Sequence, residues 1–268
     1  HPLLAEIGLV NAGLRLKFLK SETSGVAVWG KIFGEIKGQL DAAFSEEEAI
    51  QSKLTAFVVV PKDLKDFGPA WIESFVATQI DEAFAVALEA AFLSGDGNDK
   101  PIGLNRQVQE GVAITGGVYP EKTSMGDLTF ADSATTVKEL TNVYKHHSTD
   151  EKGHAVAVDG KVVMVVNPSD AWDVKRQYTS LNAQGVYVTA LPYNLKIVES
   201  LAQATEKVLT FVNGRYDAYI GGGITLRKYD QTLAIEDMDL YTAKQFAYGK
   251  AKDDKAAAVW GLKVSEGK

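Results

Sequence analysis

Residues 69–104 constrain the fold more than any other stretch of this chain. Trp71, Ile72, Phe75, Val76, Ile80, Ala83, Phe84, Ala87, Leu88 and Ala91 recur at helical spacing, with Glu73, Asp81, Glu82 and Glu89 on the other side. Pro69 suits a first helical position. A helix over 69–93 would run about 37 Å at about 1.5 Å per residue. It is followed at once by LSGDGNDKPIGL, residues 93–104. Gly95 is expected to supply a left-handed helix stop. Gly95, Asp96 and Gly97 then read as a tight turn, and Pro101, Gly103 and Leu104 as a fixed re-entry. No chemistry needs that order of residues. A long rod ending in a sharp corner does.

The rest of the chain is shorter pieces. Residues 1–22 carry apolar Leu14, Leu16, Phe18 and Leu19 between Arg15, Lys17 and Lys20, and read as an arm that needs another surface to lie on. The runs 24–33 and 53–60 read as strands, the second stopped by Pro61. The polar stretch between them, with the acidic run Glu46, Glu47 and Glu48, reads as their connection. A two-stranded hairpin is marginal alone in water and has to rest on something. Further on, Asp132 caps a helix bearing Val137, Leu140, Val143 and Tyr144. Residues 161–166 form a continuous apolar strand of the kind buried on both faces, and Asn167 caps the helix after it. Short strands follow at 195–199 and 208–212, a triple-glycine turn at 221–223, and alternating apolar residues in the tail.

The search for chemistry fails on specific positions. The chain has no cysteine, which removes disulfides and thiolate sites. His146 and His147 are neighbours, so on a helix they diverge by about 100° and do not share a metal; they are expected at a surface or a helix end. Asp96 to Gln107 fails as a calcium loop: Lys100 and Pro101 stand at the fifth and sixth positions and Gln107 at the twelfth. Gly221 to Gly223 lacks the lysine and hydroxyl residue of a phosphate loop. No nucleophile elbow is present. A net charge of −7 argues against gripping nucleic acid as the main task. No apolar run approaches the roughly 18–20 residues that span a bilayer, and no leader is read at the start. A catalytic α/β protein would need a pocket with convergent polar groups, and no motif points to one.

Three segments in order carry a resemblance that covers nearly the whole chain. They are KLTAFVVVPKDLKD at 53–66, LSGDGNDKPIGL at 93–104 and VVMVVNPSD at 162–170. With them the chain resembles the major capsid proteins of tailed bacteriophages, a fold shared with encapsulin shells. The resemblance implies an α+β fold in five parts. These are an N-terminal arm (1–22), an extended β-hairpin loop (23–60), a peripheral domain with a long spine helix (61–104), an axial α/β domain (105–224) and returning strands of the peripheral domain (225–268). It implies a structural subunit, not an enzyme, that assembles with itself as pentamers and hexamers into an icosahedral head shell around double-stranded DNA. The alternative is an encapsulin-like compartment; residues 1–22 show only a weak version of the amphipathic helix that docks cargo there.

The implied site residues are structural: Gly95, Asp96, Gly97, Pro101 and Gly103 at the corner, and Lys37, Glu46, Glu47 and Glu48 in contacts between subunits. No cofactor or metal is implied. Partners would be other copies, a portal, a scaffold or maturation protease, decoration proteins, and DNA held without sequence preference; no membrane is involved. The location would be the virion, after assembly in the host cytoplasm. By the same resemblance, His1 would follow a maturation cut. Lys37 sits where some members form a Lys–Asn cross-link, but no asparagine lies near Asp239 to Phe246, and cross-linking is not expected.

Overall fold

The chain begins with α1 (Pro2–Ile7) and β1 (Val10–Ala12), followed by β2 (Leu16–Ser24), β3 (Asp41–Ala49) and β4 (Ser52–Pro61). The long helix is α2 (Pro69–Ser94). After it come β5 (Ser124–Leu128), α3 (Ser133–His147), β6 (Val162–Val166), α4 (Pro168–Gln177), β7 (Thr179–Leu181) and β8 (Tyr187–Thr189). The last strands are β9 (Lys196–Glu199), β10 (Lys207–Val212), β11 (Tyr216–Leu233), β12 (Met238–Ala251) and β13 (Ala257–Leu262). The computed structural model describes residues 1–12, 16–24, 41–49, 52–63, 69–233 and 235–264.

Among the described residues the two larger sheets run β1-β11-β12-β4 and β5-β13-β10-β6-β9, and β2-β3 and β7-β8 form two further two-stranded sheets. Strand β6 shows why a continuous apolar run has to be buried twice. Val162, Met164 and Val166 face a core with Leu140 and Val143 of α3 and Ala171 and Val174 of α4. Val163 and Val165 face the opposite way, into a second core with Leu88 and Phe92 of α2. Successive strand side chains alternate sides, so each face needs its own cover. The helices are capped as the sequence predicts: Thr135 N–H donates to Asp132 Oδ1 at 2.8 Å, and Ser169 N–H to Asn167 Oδ1 at 3.0 Å.

The N-terminal half of α2 has a third core. Ile72, Val76, Ile80 and Phe84 pack on Val60 of β4 and on Tyr241 and Ala243 of β12. The long helix therefore spans two cores and links the two sheets.

Three expectations change. The N-terminal arm is built into the subunit over its first residues: Leu3 and Ile7 are fully buried in the core of Leu88 and Phe92, and β1 pairs in parallel with β11. Strand 53–60 does form, as β4, but it pairs with β12, from Ser52 opposite Ala247 to Pro61 opposite Met238. The hairpin is instead β2 with β3, Leu16 opposite Ala49 through Ser24 opposite Asp41; most of the run 24–33 lies outside the described residues. The triple glycine is not a turn. Gly221 to Gly223 lie inside β11, where the register with β12 shifts. Alternation on both sides of an interruption reads as two strands from sequence, and an irregular single strand looks the same.

Candidate functional site

An α-helix leaves its last four carbonyls without intrahelical donors. At the end of α2 each of these receives one. Gly95 N–H donates to Ala91 O (2.8 Å), Leu104 N–H to Phe92 O (2.9 Å) and Asn105 N–H to Leu93 O (3.1 Å). Arg106 donates through Nη2 to Ser94 O at 3.0 Å. The chain leaves the helix, turns, and comes back to cap it. Gly103 N–H to Gly95 O (2.8 Å) closes the loop.

Close approach explains the glycines. A Cβ on Gly95 would lie 2.2 Å from Pro101 O and 2.5 Å from Ala91 O. One on Gly103 would lie 2.7 Å from Gly95 N and from Ser94 Cα. Gly95 does not adopt a positive φ, so it is not the left-handed stop expected of it; that conformation falls to Gly97, at φ +88. A Cβ on Gly97 would also meet the Tyr119 ring at 2.7 Å.

Asp96 supports the turn. Its carboxylate accepts from Asn98 N–H at 3.0 Å and lies 3.5 Å from Lys100 Nζ. Partial burial pushes its pKa up, but the Asn98 N–H and the Lys100 charge outweigh this and hold the carboxyl below its ordinary range. Its carbonyl accepts Tyr119 N–H at 2.8 Å. Pro101 and Ile102 are buried. Ile102 N–H donates to Gly249 O of β12 at 2.8 Å, and the buried Tyr216 hydroxyl donates to Ile102 O at 2.8 Å. Tyr216 in turn meets Phe92 edge-on at 6.1 Å between centroids. The corner is thus tied to α2, β11 and β12 together.

Arg106 also closes the corner. Its guanidinium joins Ser94 O to Tyr119 O (3.0 Å) and stands 3.4 Å from Glu121. A lone arginine after a glycine turn carries no pattern that would single it out.

A second junction lies at the end of α3. His147 is the last residue of α3, the helix-end position expected for it, but it is fully buried and not at the surface. Its Nδ1–H donates to Lys255 O and its Nε2 accepts from the Thr210 hydroxyl, both at 2.8 Å. Trp260 Nε1–H donates to the same Thr210 oxygen. Burial pushes the imidazole pKa down to about 3, so it is neutral and holds one tautomer. Arg215 donates to His147 O at 2.8 Å and forks onto Asp253. Lys122 reaches Asp254 at 2.6 Å, and burial lowers its pKa against the pull of that carboxylate.

Of the residues expected at subunit contacts, Lys37 lies outside the described residues. Glu46, Glu47 and Glu48 lie within β3 and not in a connecting loop; their register partners are Leu19, Phe18 and Lys17.

A subunit of this build, a long helix cornering between two sheets with a hairpin apart, is the fold of capsid and encapsulin shells. The capsid of an empty GTA particle superimposes with a TM-score of 0.67 at 18% identity, over 98% of this chain and 90% of that one. A virus-like particle from Pyrococcus furiosus gives 0.60 at 14% identity, over 97% and 92%. The holo-SrpI encapsulin complex from Synechococcus elongatus gives 0.60 at 12% identity, over 100% and 89%. No curated protein matches the chain in sequence. The model of the phage capsid family matches residues 4–260, and the chain belongs to that family.

Proposed function

We propose that this protein is the major capsid subunit of a tailed bacteriophage, assembling as pentamers and hexamers into an icosahedral head shell around double-stranded DNA. The family match over residues 4–260, which includes both sheets and the corner, carries the reading. In it, residues 61–104 with 225–268 form the peripheral part and 105–224 the axial part around the symmetry axes. The hairpin, with Lys37 and Glu46 to Glu48, contacts a neighbouring copy. Among the described residues β2 and β3 pair only with each other, and an isolated hairpin needs a second surface. Closed symmetry gives every copy the same one. Portal, scaffold or protease, and decoration proteins complete the partners, assembly takes place in the host cytoplasm, and the subunit itself does no chemistry.

The encapsulin likeness favours a second reading, a compartment around protein cargo. Nuclease treatment of particles purified from the native source separates the two. A genome-length, nuclease-protected duplex supports the head shell; empty or protein-filled particles with no protected DNA support the compartment.

A further inference from the structure

The turn between β10 and β11 carries a residue pair that occurs nowhere else in the chain. Eight asparagines are present, and only Asn213 is followed by glycine. The pair matters chemically. A backbone nitrogen can attack the side-chain amide of the asparagine before it and close a five-membered ring. A side chain on the attacking residue obstructs that approach, and glycine has none.

The fold leaves the pair open. Asn213 and Gly214 are exposed, between buried Val212 and buried Arg215. A Cβ on Gly214 would meet nothing within 4 Å. Arg215 N–H donates to Val212 O at 3.1 Å and closes a β-turn, with Gly214 at its third position and φ +84. Asn213 N–H donates to Lys161 O at 2.8 Å. Among the described residues, neither the Asn213 side chain nor the Gly214 N–H has a hydrogen-bond partner. The nucleophile and the amide it would attack are both free of competing bonds.

The residues just after the turn hold distant parts together. Arg215 forks onto Asp253 and donates to His147 O. Tyr216 donates to Ile102 O of the corner. Lys252 donates through its N–H to Arg215 O at 3.0 Å and through Nζ to Gly214 O at 2.9 Å.

We propose that Asn213 and Gly214 are a self-modification site, where the asparagine converts to isoaspartate and loosens the anchors at Arg215 and Tyr216. The reaction consumes only water. Gly214 N bonds to Asn213 Cγ, the Cγ–Nδ2 bond breaks, and the proton lost by Gly214 N leaves with Nδ2 as ammonia. Water then opens the succinimide. Opening at the α-carbonyl routes the main chain through the side chain, which adds one methylene and leaves a new carboxylate. β10 ends at Val212 and β11 begins at Tyr216, so the added length falls in a connection too short to absorb it without moving Arg215. The reaction does not depend on shell formation and is followed on unassembled subunits.

Subunits are held at pH 8.5 and 37 °C, folded and in urea. Mass spectrometry follows the peptide bearing Asn213, and enzymatic carboxyl methylation counts isoaspartate. One turn hydrogen bond restrains the pair, so the folded chain is expected to convert within about tenfold of the unfolded rate. Asn213→Gln would have to close a six-membered ring and should stay unmethylated at this peptide. Slower folded conversion than that, or equal methylation in Asn213→Gln, would overturn the site. Freshly made Asn213→Asp carries the charge without the added methylene and isolates the consequence. Against it, the isoaspartate form should exchange the Arg215 and Lys252 amide protons at least about tenfold faster. Equal exchange would overturn the loosening.

Discussion

Gly95→Ala puts the corner to its hardest test. The added methyl would sit 2.2 Å from Pro101 O and 2.5 Å from Ala91 O. Ordinary contact begins near 3.4 Å, so backbone on at least one side has to retreat by about 1 Å. Neither side is a flexible side-chain end. Pro101 and Ile102 are buried, and Ile102 is held at both its N–H and its carbonyl. Ala91 is inside the helix. The retreat strains four backbone bonds: Gly95 to Ala91, Gly103 to Gly95, Leu104 to Phe92 and Asn105 to Leu93. A hydrogen bond of this kind contributes about 1 kcal/mol net. Losing half to all of them costs about 2–4 kcal/mol, a large part of the 5–15 kcal/mol that typically holds a domain folded. Urea denaturation of the soluble subunit, followed by far-ultraviolet circular dichroism, reads the change. Gly223→Ala is the control, because its methyl meets nothing and its φ is ordinary; it should fall within about 1 kcal/mol of the parent. A Gly95→Ala subunit as stable as that control would refute the close-approach account.

Arg106→Leu removes the donors to Ser94 O and Tyr119 O and should cost about 2–3 kcal/mol in the same assay, with Arg106→Lys recovering only part because one ammonium does not reproduce the fork; parental stability in Arg106→Leu would show the staple is idle. Gly97→Val combines a forbidden φ with contact to Tyr119 and should sharply reduce soluble yield at 37 °C; undiminished yield would contradict it. His147 is neutral when folded, with its pKa depressed from an unfolded value near 6.5 to about 3. Its contribution is therefore complete above pH about 6.5 and is lost as pH falls toward 3, because the unfolded chain takes up the proton first. At pH 4.5 the loss is about 3 kcal/mol, two pH units at about 1.4 kcal/mol each. Melting temperature against pH should show this slope, and His147→Gln should flatten it; identical slopes in the two proteins would remove His147 as the cause.

Much of the architecture is legible in the sequence because it rests on local signals. The helical period of Trp71 to Ala91 gives α2, the unbroken apolar run at 162–166 gives the doubly buried β6, and Asp132 and Asn167 mark the helix starts. What escaped depends on distant partners. β4 has the composition of a strand, but nothing in residues 53–60 says that its neighbour is β12, almost two hundred positions later. The same limit hid Arg106, whose acceptors at Ser94 and Tyr119 come together only when the corner closes. Glycine spacing located the corner, yet it could not distinguish a glycine needed for its φ, Gly97, from those needed for missing bulk, Gly95 and Gly103. His147 sits at a helix end, as expected, but its burial was not legible, because burial of a polar side chain is decided by its partners, Thr210 and Lys255, and not by its neighbours in the chain.

A capsid subunit closes with its copies into a shell. Cryo-electron microscopy of the full chain expressed alone, or with its native scaffold if one is required, measures this directly. Closed particles of uniform diameter are expected, with five-fold and six-fold clusters and the α2 corner resolved in every copy. Only monomers or small oligomers under both conditions would contradict it.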